Sequence, residues 1–142
     1  MEFKKEDISI INLKPGEIFN NTELTDIFKC SPQGGMRRSH KTNSLVLVSD
    51  VTKMYEDREE ENILYYTGMG RIGDQTLTRQ NKTLFESDLN GVEVYYFEVV
   101  TPKEYTFRGK VELLREPWEE EQLDMENNLR SVWIFPLKLI NL

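Results

Sequence analysis

The sequence predicts an α+β domain built as a small, partly open, mostly antiparallel β-barrel with one or two flanking helices, and three observations carry that expectation. Strand-like runs outnumber helical ones and dominate the chain after residue 90. A single stretch shows a sustained 3.6-residue apolar period. No repeat, low-complexity segment or long linker divides the chain. With 142 residues it is expected to form one domain, 1–142, around one core.

Residues 8–13 alternate weakly and stop at the turn Lys14-Pro15-Gly16. Asn20-Asn21-Thr22 precedes Leu24, Ile27 and Phe28, a polar cap ahead of an apolar stripe, and predicts a short helix. Ser31-Pro32-Gln33-Gly34-Gly35 then breaks the chain. The aliphatic run Leu45-Val46-Leu47-Val48 predicts a strand, as does Ile63-Leu64-Tyr65-Tyr66-Thr67. Asp74 is placed to cap a helix whose apolar residues Leu77, Leu84 and Phe85 share one face, ending near Asn90-Gly91. Residues 92–100 are apolar at both parities, as in a strand covered on both sides. Tyr105, Phe107, Val111 and Leu113 alternate with Thr106, Arg108, Lys110 and Glu112, which predicts a strand with one wet side. Trp133, Phe135, Leu137 and Leu139 share a parity in a last strand, where Pro136 lacks an N–H and predicts an edge or a bulge.

No run of about 18 apolar residues exists, and Lys4, Lys5, Glu6 and Asp7 fall where a secretory signal would be apolar, so a soluble, cytoplasmic chain with no membrane partner is expected. One cysteine, Cys30, and one histidine, His40, are too few for an internal disulfide or a Cys/His zinc site. The formal charge is −7, which in bulk argues against nucleic acid. The charge is unevenly distributed, however. Residues 29–41 carry Lys29, Arg37, Arg38 and Lys41 with no carboxylate, and residues 68–82 carry Arg71, Arg79 and Lys82 against Asp74. Acid gathers at 55–61 and 115–126. Two basic stretches on one face would suit a phosphate backbone; solvated loops would show the same pattern.

Catalytic constellations are scarce. His40 alone cannot make a two-histidine metal nuclease, and Cys30 would have to meet that same histidine to form a nucleophile pair. Glu2-Phe3-Lys4 has no upstream aspartate to complete an acid-x-Lys nuclease site. No catalytic residue, metal site or cofactor is therefore expected, and the dense acids lie in runs of the kind that form solvated faces.

Six short motifs in order carry more information: Gly34-Gly35-Met36-Arg37-Arg38-Ser39, Tyr55-Glu56-Asp57, Tyr66-Thr67-Gly68-Met69-Gly70, Asp74-Gln75-Thr76-Leu77 with Asn81-Lys82-Thr83-Leu84, Tyr105-x-Phe107-Arg108-Gly109, and Trp133-x-Phe135-Pro136-Leu137. Together they resemble the SRA (SET and RING-associated) domain family, a PUA/SRA-like barrel, over roughly residues 14–139. The wording looks most like the bacterial branch that is fused to HNH-type nucleases in modification-dependent restriction enzymes.

The resemblance implies a reader of duplex DNA that rotates a modified cytosine, 5-methyl or 5-hydroxymethyl, out of the stack and holds it in a pocket. Tyr55 and Tyr66 match the family's two stacking positions, Asp57 its acceptor for the exocyclic amine, and Thr67 a backbone contact. Eukaryotic members have two aspartates after the glutamate, so a one-residue gap is needed to keep Asp57, and not Arg58, at the edge-reading position. Two loops are expected to meet DNA: 35–41, with Arg37, Arg38, Ser39, His40 and Lys41, and 69–73, with Arg71. The second is shorter than in eukaryotic members. Gln75, Arg79 and Lys82 join the DNA-binding set, Gln75 with the competing role of fixing the loop beside the pocket. The chain would then be a reading module, excised from a longer enzyme or working beside a nuclease domain in cis or in trans. The alternatives are a PUA-like module for RNA or protein without base flipping, its acidic run at 116–126 meeting a basic partner, and an enzyme acting on a free nucleotide.

Overall fold

A computed structural model describes residues 10–51 and 57–140. In chain order the elements are β1 (Ile18–Phe19), α1 (Asn21–Phe28), β2 (Met36–Ser39), β3 (Ser44–Asp50), β4 (Arg58–Glu60), β5 (Ile63–Thr67), α2 (Arg79–Phe85), β6 (Glu93–Val99), β7 (Tyr105–Leu113), β8 (Trp118–Leu123) and β9 (Leu129–Leu139). One nine-stranded sheet runs β2-β3-β6-β7-β9-β5-β4, with β1 added to β7 and β8 to β9. Pairing is antiparallel except between β3 and β6. The ladder ends at β2 and β4 without joining them. The α+β class stands as expected, and the expected barrel becomes an open, curled sheet.

The buried apolar side chains form two clusters on the two faces of the one sheet. Leu45, Leu47, Val94 and Tyr96 enter one cluster with Leu64, Leu84 and Phe135; Val46 and Phe97 enter another with Leu24, Ile27 and Phe28 of α1. The cause is visible in the strands themselves, because β3 and β6 are apolar at both parities and so bury both faces. In β7, Phe107 serves the second cluster and Val111 the first; the register slips between them, opposite Tyr96 and Phe97.

Helix α1 forms as its sequence predicts. The Asn20 side chain accepts from Glu23 N–H at 2.8 Å while Glu23 Oε1 accepts from Asn20 N–H at 2.9 Å, a reciprocal cap. Helix α2 starts later than expected, at Arg79 with Thr78 as its cap residue. Asp74 cannot cap it because its Oδ1 accepts from the Ser131 N–H at 2.8 Å, and the Gln75 N–H donates to the Ser131 carbonyl at 2.9 Å, so residues 74 and 75 are tied to β9 ahead of the helix. Pro136 marks no edge, since β9 pairs with β5 on one side and with β8 and then β7 on the other. Its carbonyl accepts from Leu114 N–H, so its nitrogen faces the gap between Ile134, where β8 ends its pairing, and Leu137, where β7 begins.

Candidate nucleic-acid interface

The C-terminal ends of β3 and β5 are not ladder neighbours, yet the curl of the sheet brings them together and side chains span the seam. Ser49 Oγ donates to Asp57 Oδ2 at 2.8 Å, and the Thr67 N–H donates to Asp57 Oδ1 at 2.7 Å. One residue along, the Tyr66 hydroxyl lies 2.8 Å from the Gly35 carbonyl and 3.0 Å from that of Val48. The single hydroxyl hydrogen serves one of these at a time.

Asp57 is thus held between two strands with two protein donors on its carboxylate, leaving further lone-pair positions for another donor. Burial pushes its carboxyl above the ordinary carboxylate range, opposed by the bonds from Thr67 and Ser49 and by the Arg58 charge. Tyr66 is 3% exposed and its ring belongs to the first cluster, while Tyr65 faces the other side of β5, against Trp118 and Arg58. Thr67 is buried beside Tyr66. The expected second stacking residue, Tyr55, lies outside the described residues.

The basic residues divide by direction. The expected loop 35–41 is mostly strand β2, and Arg37 points inward: its Nε donates to the Gly34 carbonyl and its Nη1 to Asn21 Oδ1, with the guanidinium over the Tyr105 ring. Ser39 is buried, donating to the Lys29 carbonyl, and Arg38 binds the carbonyls of Ser39 and Ser44 and the Asn43 side chain. Arg37 thus ties β2 to the preceding turn and to α1, Ser39 ties it to the residue after α1, and Arg38 binds across the β2–β3 turn. His40 and Lys41 are exposed, but on the hairpin turn. Five steps of β3 separate that turn from Ser49, roughly 16 Å of strand, so they sit at the wrong end of the sheet for the seam. The loop at the seam end is the exposed segment 31–35, whose Gly35 carbonyl receives the Val48 N–H at 2.7 Å. In the sequence it read as a chain break, with only Gly34 and Gly35 inside a family motif.

The other loop, 69–73, leaves β5 directly beside Asp57, and Arg71 and Ile72 stand exposed at its tip. Gln75 does not face solvent. Its Nε2 donates to the Gly68 carbonyl at 2.6 Å and the Gly70 carbonyl at 3.2 Å, and its Oε1 accepts from the Trp133 N–H at 2.9 Å. Gln75 thus ties the loop to β9 through its side chain, while the helix N-cap that its competing reading expected falls at Thr78. Asn81, the first residue of the Asn-x-x-Leu motif, clamps Met69 through both its N–H and its carbonyl. Gly68 is required by this crowding, since a Cβ there would lie 2.9 Å from Asn81 Oδ1 and 3.0 Å from Gln75 Oε1. Arg79 and Lys82 are exposed on α2, which follows the loop. Among the described residues there is no cluster of potential metal ligands and no helix long and apolar enough to cross a membrane.

A family model described as the ScoMcrA-like SRA domain matches residues 15–141. Among solved structures, the sulfur binding domain and SRA domain of ScoMcrA complexed with phosphorothioated DNA matches with a TM-score of 0.76 at 19% identity, over 92% of this chain and 41% of that one. The Type IV phosphorothioation-dependent restriction endonuclease ScoMcrA matches with the same score and identity over 25% of its chain. The SUVH5 SRA domain in complex with hemi-methylated CG DNA matches with a TM-score of 0.68 at 26% identity, over 91% of this chain and 90% of that one. This chain thus spans about two fifths of the first structure and a quarter of the second. No curated protein matches it.

Proposed function

We propose, from the premise that this chain belongs to the ScoMcrA-like SRA domain family, that it reads modified cytosine in duplex DNA by turning the base out of the stack, as the specificity module of a modification-dependent restriction system in the cytoplasm. An SRA domain is a DNA-binding module, and SRA structures of this fold have been solved with methylated DNA bound. The observation that carries the finer reading is the placement of Asp57. An acid desolvated between two strands, fixed in orientation by Ser49 and Thr67, is a built acceptor for the exocyclic amine of cytosine.

Turning a base out costs a few kcal/mol. Stacking on aromatic rings supplies about 1–3 kcal/mol for each face, and Tyr55 and Tyr66 are the two rings proposed. The Asp57 hydrogen bond adds to that. Burial of one methyl contributes about 0.8 kcal/mol, roughly fourfold in affinity, so discrimination between 5-methylcytosine and cytosine should be modest. Arg71, with Arg79 and Lys82 beyond it, is proposed to meet the phosphate backbone. The cutting activity would reside in a nuclease domain in cis or in trans, of HNH type by the resemblance, and a relative that is itself a restriction endonuclease supports that arrangement.

One duplex carrying C, 5-methyl-C, 5-hydroxymethyl-C or glucosylated C at a single position, with a fluorescent base opposite it, tests the reading. Tighter binding to a modified duplex, a fluorescence rise on binding and steep weakening with salt are expected. Equal affinity for all four duplexes with a silent probe would overturn it.

A further inference from the structure

The loop 69–73 is gripped from a third direction, by the hairpin joining β8 and β9. Arg130 is 4% exposed, and its Nη1 donates to the Gly70 carbonyl at 2.6 Å and the Gly73 carbonyl at 3.2 Å. Asp124 Oδ2 accepts from the Gly73 N–H at 3.3 Å, while its Oδ1 accepts from Glu126 and Asn128 and so shapes the turn. The Met125 N–H donates to the Arg71 carbonyl at 3.3 Å. With Gln75 on Gly68 and Gly70 and Asn81 on Met69, protein donors occupy the carbonyls of residues 68, 69, 70, 71 and 73, and only the tip faces outward.

Arg130 is a poor choice if stability alone is at issue. Its Nε and Nη2 are buried without an acceptor among the described residues, as is Nε2 of Gln122, its cross-strand partner. A buried cation with donors left over is costly, and an apolar side chain of similar volume in such a place is often neutral or stabilising. What the arginine supplies is a bridge from β9 to two carbonyls that flank the loop tip.

We propose that Arg130, assisted by Asp124, is a positioning residue for DNA reading, fixing the shape and reach of the 69–73 loop so that Arg71 meets the duplex in one geometry. This rests on the proposed DNA-reading function and adds to it a hairpin that touches no base. The variants Arg130→Met and Arg130→Lys separate the roles. Arg130→Met is expected to melt within a few degrees of wild type or above it, to speed amide exchange at Met69 and Gly73, and to weaken binding to the 5-methylcytosine duplex about tenfold. Arg130→Lys, which keeps the charge and reaches a single carbonyl, should fall between. If the hairpin acts through Arg71, then adding Arg130→Met to Arg71→Ala should cost less than twofold more. Wild-type binding retained by a folded Arg130→Met, or additive losses in the double variant, overturns the proposal. If Arg130→Met does not fold, wild-type affinity in Arg130→Lys overturns it. Failure of the wild type itself to prefer modified duplex counts against the reader function instead.

Discussion

The substitution Asp57→Asn keeps the shape of the seam and removes its charge, so stability and recognition should part company. The carbonyl of the new amide would accept from the Thr67 N–H, now 2.7 Å from Oδ1, and the amide nitrogen would take the place of Oδ2 opposite Ser49 Oγ, which rotates from donor to acceptor. Both protein bonds survive. The folded-state pKa of Asp57 lies above its ordinary 3.8 because of burial, so ionising the group works against folding. The favourable contribution is fully present below about pH 3.8 and is lost as pH rises through the raised folded-state value. At pH 7 the variant should therefore melt at or above wild type, and wild type should recover relative to it as pH falls toward 4. Recognition should move the other way. A hydrogen bond to a charged acceptor contributes about 1.5–3 kcal/mol, roughly 10- to 150-fold in affinity, and the amide removes that charge and one of the two acceptor oxygens. Fluorescence anisotropy with a 5-methylcytosine duplex reads the loss, and melting curves at pH 7 and pH 4 read the stability. Binding within twofold of wild type would refute the assignment of Asp57 as the edge-reading acceptor.

Tyr66→Phe leaves the Gly35 carbonyl with its Val48 bond but strips Val48 O of the hydroxyl, and a loss of about 1–3 kcal/mol is expected in denaturant unfolding. Arg71→Ala should reduce the slope of log affinity against log salt by about 0.9; His40→Ala and Lys41→Ala, at the far end of the hairpin, should leave that slope unchanged in the same titration. Gly68→Ala forces a Cβ within 3.0 Å of both Gln75 and Asn81, and is expected to lower the melting temperature by several degrees and to speed amide exchange across 69–73.

What the sequence made legible is what periodicity encodes. A run apolar at both parities marked β6 as a covered strand, aliphatic content marked β3 as a strand, and a polar cap ahead of Leu24, Ile27 and Phe28 marked α1, because in each case the local pattern and the tertiary role coincide. Strand β8 shows the opposite case. Its run Glu119-Glu120-Glu121 has the composition of a solvated face, yet pairing to β9 from Trp118 to Leu123 makes it a strand, with Glu120 drawn to Arg58. At the site, the family resemblance singled out Asp57, Tyr66 and Thr67, which meet at the seam, but it could not give direction to the cations. Arg37 and Arg71 are the same residue in similarly basic segments. One is turned inward by Asn21 and Tyr105, sixteen or more positions away in the chain, and the other is left outside because its loop is anchored through its backbone. Such distant partners leave no local signature. Ser49 and Arg130, which act through contacts across the sheet, are invisible for the same reason.

The open ladder gives the position of the seam a physical logic. In a fully closed barrel, admitting a planar base between two strands would mean breaking several backbone hydrogen bonds, each left unsatisfied at a cost of about 1–3 kcal/mol. Here no ladder joins β3 to β5, and the crossing is made by Tyr66 Oη and by Ser49 Oγ on Asp57, groups that can rotate or accept a further partner without disturbing the strands. The rigidity that a reader needs is supplied behind the seam, by the two clusters on either face of β3 and β6 and by the side chains that clamp 69–73. The charged groups of this region, Asp57, Asp124 and Arg130, each bind backbone groups of the seam or of the loop, so that what a charge holds and what it could receive are tied to one geometry.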